Sequence, residues 1–252
     1  MRATEKEIQA WLSTWPAATR KGLKVVTSKD LGQDFVLRMD IKRPSILTPR
    51  LPMSVKSKED KSVPRISTTT YIGGCLVGYG RFGYDVEDGS DKDIEKFNGY
   101  KGGYEVSMID FDVGIYPSYD LVPEEYESDE IWLVNFNKAY AQASSKKIGE
   151  LFVSEFSYIP RSRKQPDEQS TWFFKHTLDK PVLIKKDHLV EPGAYELKLL
   201  RQPSLIKPGV RTPYSITARK VPDAEYEGAK KYHAALLSRS DTSVTYPHDG
   251  FV

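Results

Sequence analysis

Most apolar residues of this chain fall in short runs that are separated by polar, glycine-rich or proline-rich segments. Runs of this kind that are rich in β-branched and aromatic residues are typical of β-strands. We therefore predict strands at 22–28, 35–41, 66–70, 104–116 (as one strand or two), 130–136, 147–159, 172–176, 182–185 and 194–200. The segments between them predict loops or turns at 44–63, 81–103, 117–128, 161–169, 186–193 and 203–213, and the joint 137–146 predicts a loose hairpin between its neighbouring strands.

Helical spacing of apolar residues occurs near both ends of the chain and once between them. Thr4 and Glu7 form a capping-box pattern ahead of an apolar stripe, and Pro16 ends that stripe. This first helix packs on the domain or binds a partner, and the sequence leaves both open. A second, short helix begins at Ile72, and a third follows Asp223. Since strands are in the majority, the pattern predicts an α+β fold with short peripheral helices.

Size and charge narrow the class of protein. With 252 residues the chain forms one large domain or one domain with an appendage. Its 37 basic and 35 acidic residues give a net charge of +2, which is too balanced to indicate a nucleic-acid-binding surface by itself. The sequence contains neither an apolar signal core nor a run long enough to span a bilayer, so we expect a cytoplasmic protein without membrane contact.

Cysteine and histidine content argues against several kinds of site. The single cysteine, Cys75, excludes an internal disulfide framework and a cysteine-rich zinc site. The four histidines lack zinc spacing, and the aspartates near Gly89 do not follow the calcium-loop order, so we expect no metal. Nucleophile-elbow, phosphate-loop and dinucleotide-binding glycine motifs are also absent. Cys75 with His176 or His188 would supply a nucleophile and a base, although a small buried residue explains Cys75 as well.

The segment 63–80 has the most distinctive pattern in the chain. A polar strand with consecutive hydroxyls, from Ser67 to Thr70, runs into a helical turn that contains Gly73, Gly74 and Gly78. Hydroxyls beside glycine-rich backbone can bind a sugar or a phosphate. The same pattern also fits a half-buried edge strand without a ligand, and the segment alone leaves both interpretations open.

Two charged residues on other strands give this segment a specific chemistry. Arg38 lies inside an apolar strand, where its charge needs an anion or a carboxylate, and Glu130 opens a later strand. An arginine can bind a diphosphate through paired hydrogen bonds, and the hydroxyls of Ser67 and Thr68 can hold a ribose and a carboxamide. Glu130 can accept a hydrogen bond from a ribose 2′-OH and stabilise an oxocarbenium-like state as nicotinamide leaves. Two tyrosines of the following turn could stack on the nicotinamide ring, Tyr71 and Tyr79.

The order of these residues resembles that of the ADP-ribosyltransferase superfamily, in which an Arg or His, a Ser-Thr-Ser or Tyr-bearing strand and a Glu follow one another. On that resemblance Arg38 takes the first motif position, Ser67 the second and Glu130 the third. The segment 129–134 (Asp-Glu-Ile-Trp-Leu-Val) is similar to the strand that carries the catalytic glutamate in poly-ADP-ribose-polymerase-like members. The segment 147–156 is similar to the strand that follows it there.

Short motifs near the first two positions are also similar to those of a family of small uncharacterised bacterial and phage proteins. They are Phe-Val-Leu-Arg at 35–38, Leu-Thr-Pro-Arg-Leu-Pro at 47–52, Glu-Asp at 59–60 and Pro-Arg-Ile-Ser at 64–67. This chain departs from the superfamily pattern in two places. Ser67, Thr68 and Thr69 stand where Ser-Thr-Ser is usual, and Ser128 stands two residues before Glu130 in place of a Glu or Gln. The resemblance therefore does not specify the acceptor residue.

The resemblance implies a split β-sandwich of the ADP-ribosyltransferase type over residues 35–160. A helix and a strand at 1–34 precede it, and a β-rich extension with a terminal helix and tail follows at 161–252. The implied function is an NAD-dependent ADP-ribosyltransferase, such as a phage effector that modifies a host protein or nucleic acid in the host cytoplasm. NAD would be its substrate, with Glu130 catalytic and the NAD-binding residues Arg38, Ser67, Thr68, Tyr71 and Tyr79. Two other functions stay open: an interaction protein that inhibits a host factor through loops 81–103 and 117–128, and a virion or assembly component.

Overall fold

The computed structural model of the chain describes residues 4–15, 17–40, 47–49, 51, 63–79, 103–118, 121, 129–134, 145–159, 167–202 and 214–238. The helices within these ranges are α1 (Glu5–Ser13), α2 (Ala17–Arg20), α3 (Ser28–Leu31), α4 (Ile72–Tyr79) and α5 (Asp223–Ser238). The strands are β1 (Leu23–Thr27), β2 (Phe35–Asp40), β3 (Arg65–Thr68), β4 (Tyr104–Asp110), β5 (Val113–Pro117), β6 (Ile131–Val134), β7 (Ser145–Ile159), β8 (Asp167–His176), β9 (Val182–Lys185), β10 (His188–Val190), β11 (Gly193–Arg201) and β12 (Tyr214–Val221). The described part of the chain is therefore α+β with strands predominating, as the sequence predicts.

The strands form two main sheets that are antiparallel throughout. One sheet has four strands in the order β1-β5-β6-β3, and the other has six in the order β12-β11-β8-β7-β4-β2. Strands β9 and β10 form a separate two-stranded hairpin that is not hydrogen-bonded to either main sheet. The two main sheets meet where edge strand β2 reaches the end of edge strand β3, because Leu37 and Thr69 exchange backbone hydrogen bonds of 2.7 and 2.9 Å. The polar segment after Ile66 thus links one sheet to the other.

Helices and the small hairpin cover the outer faces of these sheets. Apolar residues of α4 and of the β9–β10 hairpin pack on one face of the six-stranded sheet, and α5 packs on the other face through Tyr226. Helix α1 packs its buried residues, Ile8 and Leu12, against one face of the four-stranded sheet. The opposite face of that sheet forms a shared core with β2 and β4. None of the described helices is both long and apolar enough to cross a bilayer.

Several sequence predictions are confirmed at the level of single elements. Thr4 and Glu7 form the expected capping box at the start of α1. The apolar segment 104–116 forms two strands, β4 and β5, and the third predicted helix begins at Asp223. Most of the predicted loops lie outside the described residues, as does the tail: 52–62, 81–102, 122–128, 160–166, 203–213 and 239–252.

The predicted hairpin across 137–146 is wrong, because the strands on its two sides belong to different sheets. Strand β6 pairs with β3 and β5, whereas β7 pairs with β4 and β8. The polar breaker at 161–169 is also shorter than expected, since β8 begins at Asp167. Strand β12 was not predicted, and the turn at 186–193 contains the short strand β10.

Both main sheets combine strands from more than one of the three predicted segments. Strand β1, from segment 1–34, pairs along its whole length with β5. Strands β8, β11 and β12, from segment 161–252, continue the sheet that β2, β4 and β7 begin. The strands of the N-terminal and C-terminal segments are therefore integral parts of the same two sheets.

Candidate functional site

Arg38 lies at the junction of the two sheets. Its Nε donates to both carboxylate oxygens of Asp40 at 2.9 Å, and its Nη2 donates to Asp40 Oδ1 at 2.8 Å. Its Nη1 donates to the backbone carbonyl of Ser67 at 3.0 Å, across the gap from β2 to β3. Only 13% of the Arg38 side chain and 12% of the Asp40 side chain are exposed. The sequence argument required an anion or a carboxylate for this arginine, and Asp40 supplies the carboxylate.

Ser67 and Glu130 lie on the same face of neighbouring strands. Ser67 is directly opposite Trp132 in the antiparallel pair of β3 and β6. Residues two apart on a strand share a face, so Glu130 is on the face that carries Trp132 and therefore Ser67. The partly exposed Ser67 and the buried Glu130 are thus diagonal neighbours on one side of the four-stranded sheet.

The carboxylate of Glu130 is held by the indole of Trp132. Trp132 Nε1 donates to Glu130 Oε1 at 3.0 Å, and both side chains are buried. The guanidinium of Arg65 lies 4.0 Å from the centre of the Trp132 ring and donates to the carbonyl of Val63. A cation over the ring face is attracted by the electrons of the indole. Cation, ring and carboxylate therefore form a buried stack that fixes the orientation of Glu130.

Thr68, by contrast, points to the opposite face of β3 from Ser67. Its side chain is buried, and its hydroxyl donates to the carbonyl of Ile131 at 2.7 Å. The Thr68 hydroxyl therefore joins β3 to β6 inside the shared core. Its predicted NAD-binding role has no geometric support in this arrangement.

The glycine-rich turn after the hydroxyl strand packs closely against the β9–β10 hairpin. A Cβ added to Gly73 would come within 2.9 Å of the carbonyl oxygen of Ile184, so glycine is needed there for contact between α4 and β9. Tyr71 is buried at the start of α4. Helix α4 ends at Tyr79, whose side chain lies outside the described residues. The sequence analysis allowed a ligand to contact the glycine-rich turn closely, and in the structure the backbone of β9 makes that contact at Gly73.

Asp129 has a conformation and an environment that sequence reasoning missed. It directly precedes Glu130, has a φ of 52°, and accepts a hydrogen bond of 2.9 Å at Oδ1 from the hydroxyl of Tyr116 on β5. Burial raises the pKa of Asp129 to about 6, and the nearby Lys186 lowers it in part. The only signal in the sequence was the acidic pair at 129–130, which does not reveal backbone conformation or burial.

The alternative chemistry of Cys75 is disfavoured by its surroundings. Cys75 is buried in α4, and burial raises the pKa of its thiol to about 12, with Asp40 adding to the effect. A thiol becomes nucleophilic as the thiolate, so this environment suits an inert core residue. His176 is also buried, with its two ring nitrogens 3.2 and 2.8 Å from the carbonyls of Ile148 and Lys180. Both residues are thus accounted for by packing and hydrogen bonding.

Two strand junctions connect the backbones that carry the three motif residues. Arg38 contacts the backbone of Ser67, and Ser67 shares a sheet face with Glu130. Groups of these three kinds, a guanidinium, a hydroxyl and a carboxylate, are those that bind a polar, negatively charged ligand and stabilise developing positive charge. No family model, no curated protein and no solved structure matches the chain.

Proposed function

We propose that this protein is an NAD-dependent ADP-ribosyltransferase with a split β-sandwich of the ADP-ribosyltransferase type. The observation that carries the proposal is the contact of β2 with the end of β3 and the pairing of β3 with β6, which link Arg38, Ser67 and the residue before β6, Glu130, in the order of the superfamily motif. The six-stranded and four-stranded sheets that part on either side of the Leu37–Thr69 contact are consistent with a split sandwich.

In this proposal each motif residue has one task in the transfer. Glu130 accepts a hydrogen bond from the 2′-OH of the nicotinamide ribose and stabilises positive charge at C1′. The bond from C1′ to the nicotinamide nitrogen breaks and its electron pair neutralises the pyridinium ring, while an O–H or N–H group of the acceptor attacks C1′ and its proton is released to solvent. Ser67 contacts the ribose, and Arg38 places positive charge near the diphosphate while it secures β2 to β3. Tyr71 and Tyr79 remain proposed nicotinamide contacts.

The acceptor in this proposal is a host protein or nucleic acid, modified in the host cytoplasm, as for a phage effector. The chain carries no motif that specifies the target residue, since Ser128 stands where an acceptor-selecting Glu or Gln is expected in the superfamily. Water serves as the acceptor in a first assay because it requires no knowledge of the target.

The test is nicotinamide release from NAD by the wild-type chain and by Glu130→Gln. The glutamine keeps a carbonyl oxygen that can accept from Trp132 Nε1, so the buried stack and the fold are preserved while the negative charge is removed. We expect release to fall roughly 100- to 1,000-fold, by analogy with removal of one charge-stabilising group. Glu227→Gln, at an exposed position on α5, is the matched control and should retain full activity. Equal activity of wild type and Glu130→Gln, or no release by either, would overturn the proposal.

A further inference from the structure

The two main sheets contain the same tryptophan contact with different acceptors. Trp132 on β6 and Trp172 on β8 are both buried, and each donates its indole N–H to a buried side chain two residues earlier. The acceptor of Trp172 is the hydroxyl of Ser170, at 2.9 Å. The acceptor of Trp132 is the carboxylate of Glu130, at 3.0 Å. Because residues two apart on a strand share a face, the two contacts have the same local geometry and differ in the chemistry of the acceptor.

The carboxylate at position 130 is not needed to pair the indole. The contact of Trp172 with Ser170 shows that a hydroxyl is a sufficient acceptor for a buried tryptophan in this fold. Burying a carboxylate costs far more free energy than burying a hydroxyl, because the charged form must leave water. An acid held by Trp132 at this cost calls for a use of the carboxylate other than packing.

The ring of Trp132 is held on all sides within the four-stranded sheet. Trp132 is directly opposite Ser67 on β3 and opposite Ile115 on β5. The guanidinium of Arg65 lies 4.0 Å from the ring centre and is itself held by a hydrogen bond of 3.0 Å to a backbone carbonyl. The indole N–H therefore has a fixed direction, and the ring is a direct neighbour of both Ser67 and Glu130.

We infer that Trp132 is a positioning residue of the proposed ADP-ribosyl transfer and acts through Glu130. The inference rests on the proposed function. The indole N–H holds the carboxylate in the orientation in which it accepts the ribose 2′-OH and stabilises charge at C1′, and Trp132 keeps its proton throughout. A carboxylate that is displaced by about 1 Å can lose about 100-fold in rate, so a fixed donor contributes to kcat without touching NAD.

The experiment is a double-mutant cycle of Trp132→Phe and Glu130→Gln, with water as the acceptor. Phenylalanine keeps an aromatic ring beneath Arg65 and removes the N–H donor. We expect Trp132→Phe to lower kcat for nicotinamide release about 10- to 100-fold with little change in KM. In the Glu130→Gln background the same change should alter kcat by less than about twofold, because residues that act as a unit are not additive.

Trp172→Phe is the matched control. It removes the equivalent indole hydrogen bond, to Ser170, from the six-stranded sheet. We expect both phenylalanine variants to lower the melting temperature by similar amounts, whereas only Trp132→Phe lowers kcat. The indole N–H resonances provide a measurement that needs no tryptophan variant. Glu130→Gln should move the signal of Trp132 and leave that of Trp172 in place, and an unchanged Trp132 signal would overturn the inference.

The outcomes of the cycle separate the two proposals. If wild type releases nicotinamide and Trp132→Phe lowers kcat by the same factor in both backgrounds, the loss is structural. The role of Trp132 is then refuted and the transferase proposal stands, and the same holds if Trp132→Phe keeps the wild-type kcat. If wild type releases no nicotinamide, the transferase proposal is refuted, and the role of Trp132 with it.

Discussion

Arg38 and Asp40 offer the sharpest test of how the two sheets are joined. Both side chains are nearly buried, and three donor atoms of the guanidinium are bonded to Asp40 or to the Ser67 carbonyl. Removing one member of a buried ion pair leaves an uncompensated charge, which typically costs about 3–5 kcal/mol. We therefore expect Arg38→Met and Asp40→Leu each to lower the free energy of unfolding by about that amount.

The double variant should lose much less than the sum of the two single changes. Replacing both charges by apolar groups removes the desolvation cost of each, and such exchanges are often close to neutral. The Ser67 carbonyl still loses a donor, at a cost of about 1–3 kcal/mol, so we expect the double variant to lie about 1–3 kcal/mol below wild type. The difference between the observed and the additive value is the coupling energy of the pair.

Urea unfolding, monitored by tryptophan fluorescence, gives the free energy of unfolding of wild type, the two single variants and the double variant. Trp132 is fully buried in the four-stranded sheet and Trp172 is buried in the six-stranded sheet, so the summed emission responds to unfolding on both sides of the junction. If the loss of unfolding free energy in the double variant equals the sum of the two single losses to within about 0.5 kcal/mol, the ion-pair reasoning is refuted. Binding of NAD to the double variant adds a second result, since near-normal stability without binding would separate the proposed ligand role of Arg38 from its structural role.

Two further predictions concern residues away from the junction. Gly73→Ala should destabilise the protein by about 1–3 kcal/mol, because the new methyl group would lie 2.9 Å from the carbonyl oxygen of Ile184. Gly228→Ala in α5, where no atom lies within 4 Å of the new methyl group, should stabilise the protein by up to about 1 kcal/mol. Equal effects of the two variants in thermal unfolding would contradict the packing argument. Burial beside Phe152 lowers the pKa of His233, so the unfolded chain binds more protons there and stability should fall as the pH drops through the ordinary histidine range near 6.5. Chemical unfolding between pH 5 and 8 should show a smaller loss at low pH for His233→Gln than for wild type, and parallel curves would exclude a contribution from His233.

The elements that sequence reasoning located well are those whose burial pattern is visible along the chain. Strand β2 carries an apolar run, and the capping box of Thr4 and Glu7 is a local signal. Strand β12 was missed because only two of its eight residues are buried, and its four exposed residues include Arg219 and Lys220. An exposed edge strand of this kind resembles a polar loop in sequence.

Pairing between strands was harder to predict than the strands themselves. Neighbours along the chain often pair, which favoured a hairpin across 137–146. All four residues of β6 are buried, however, and the strand lies between β5 and β3, where both of its faces are covered. The contact of Arg38 with Ser67 and the shared face of Ser67 and Glu130 depend on this long-range arrangement. The motif residues could be named from the sequence, whereas their partners Asp40, Trp132 and Arg65 could not.

The mixing of distant strands in each sheet has a consequence for any shortened version of the protein. A fragment limited to 35–160 would lack β1 and β8, and would leave β5 and β7 each without a full-length antiparallel neighbour. The apolar side chains of Phe152 and Val113 would then meet water beside unpaired backbone, which favours aggregation over folding. The smallest autonomous unit of this chain is therefore wider than the stretch that carries its motif residues, and gene fusions or domain transplants should respect that wider limit.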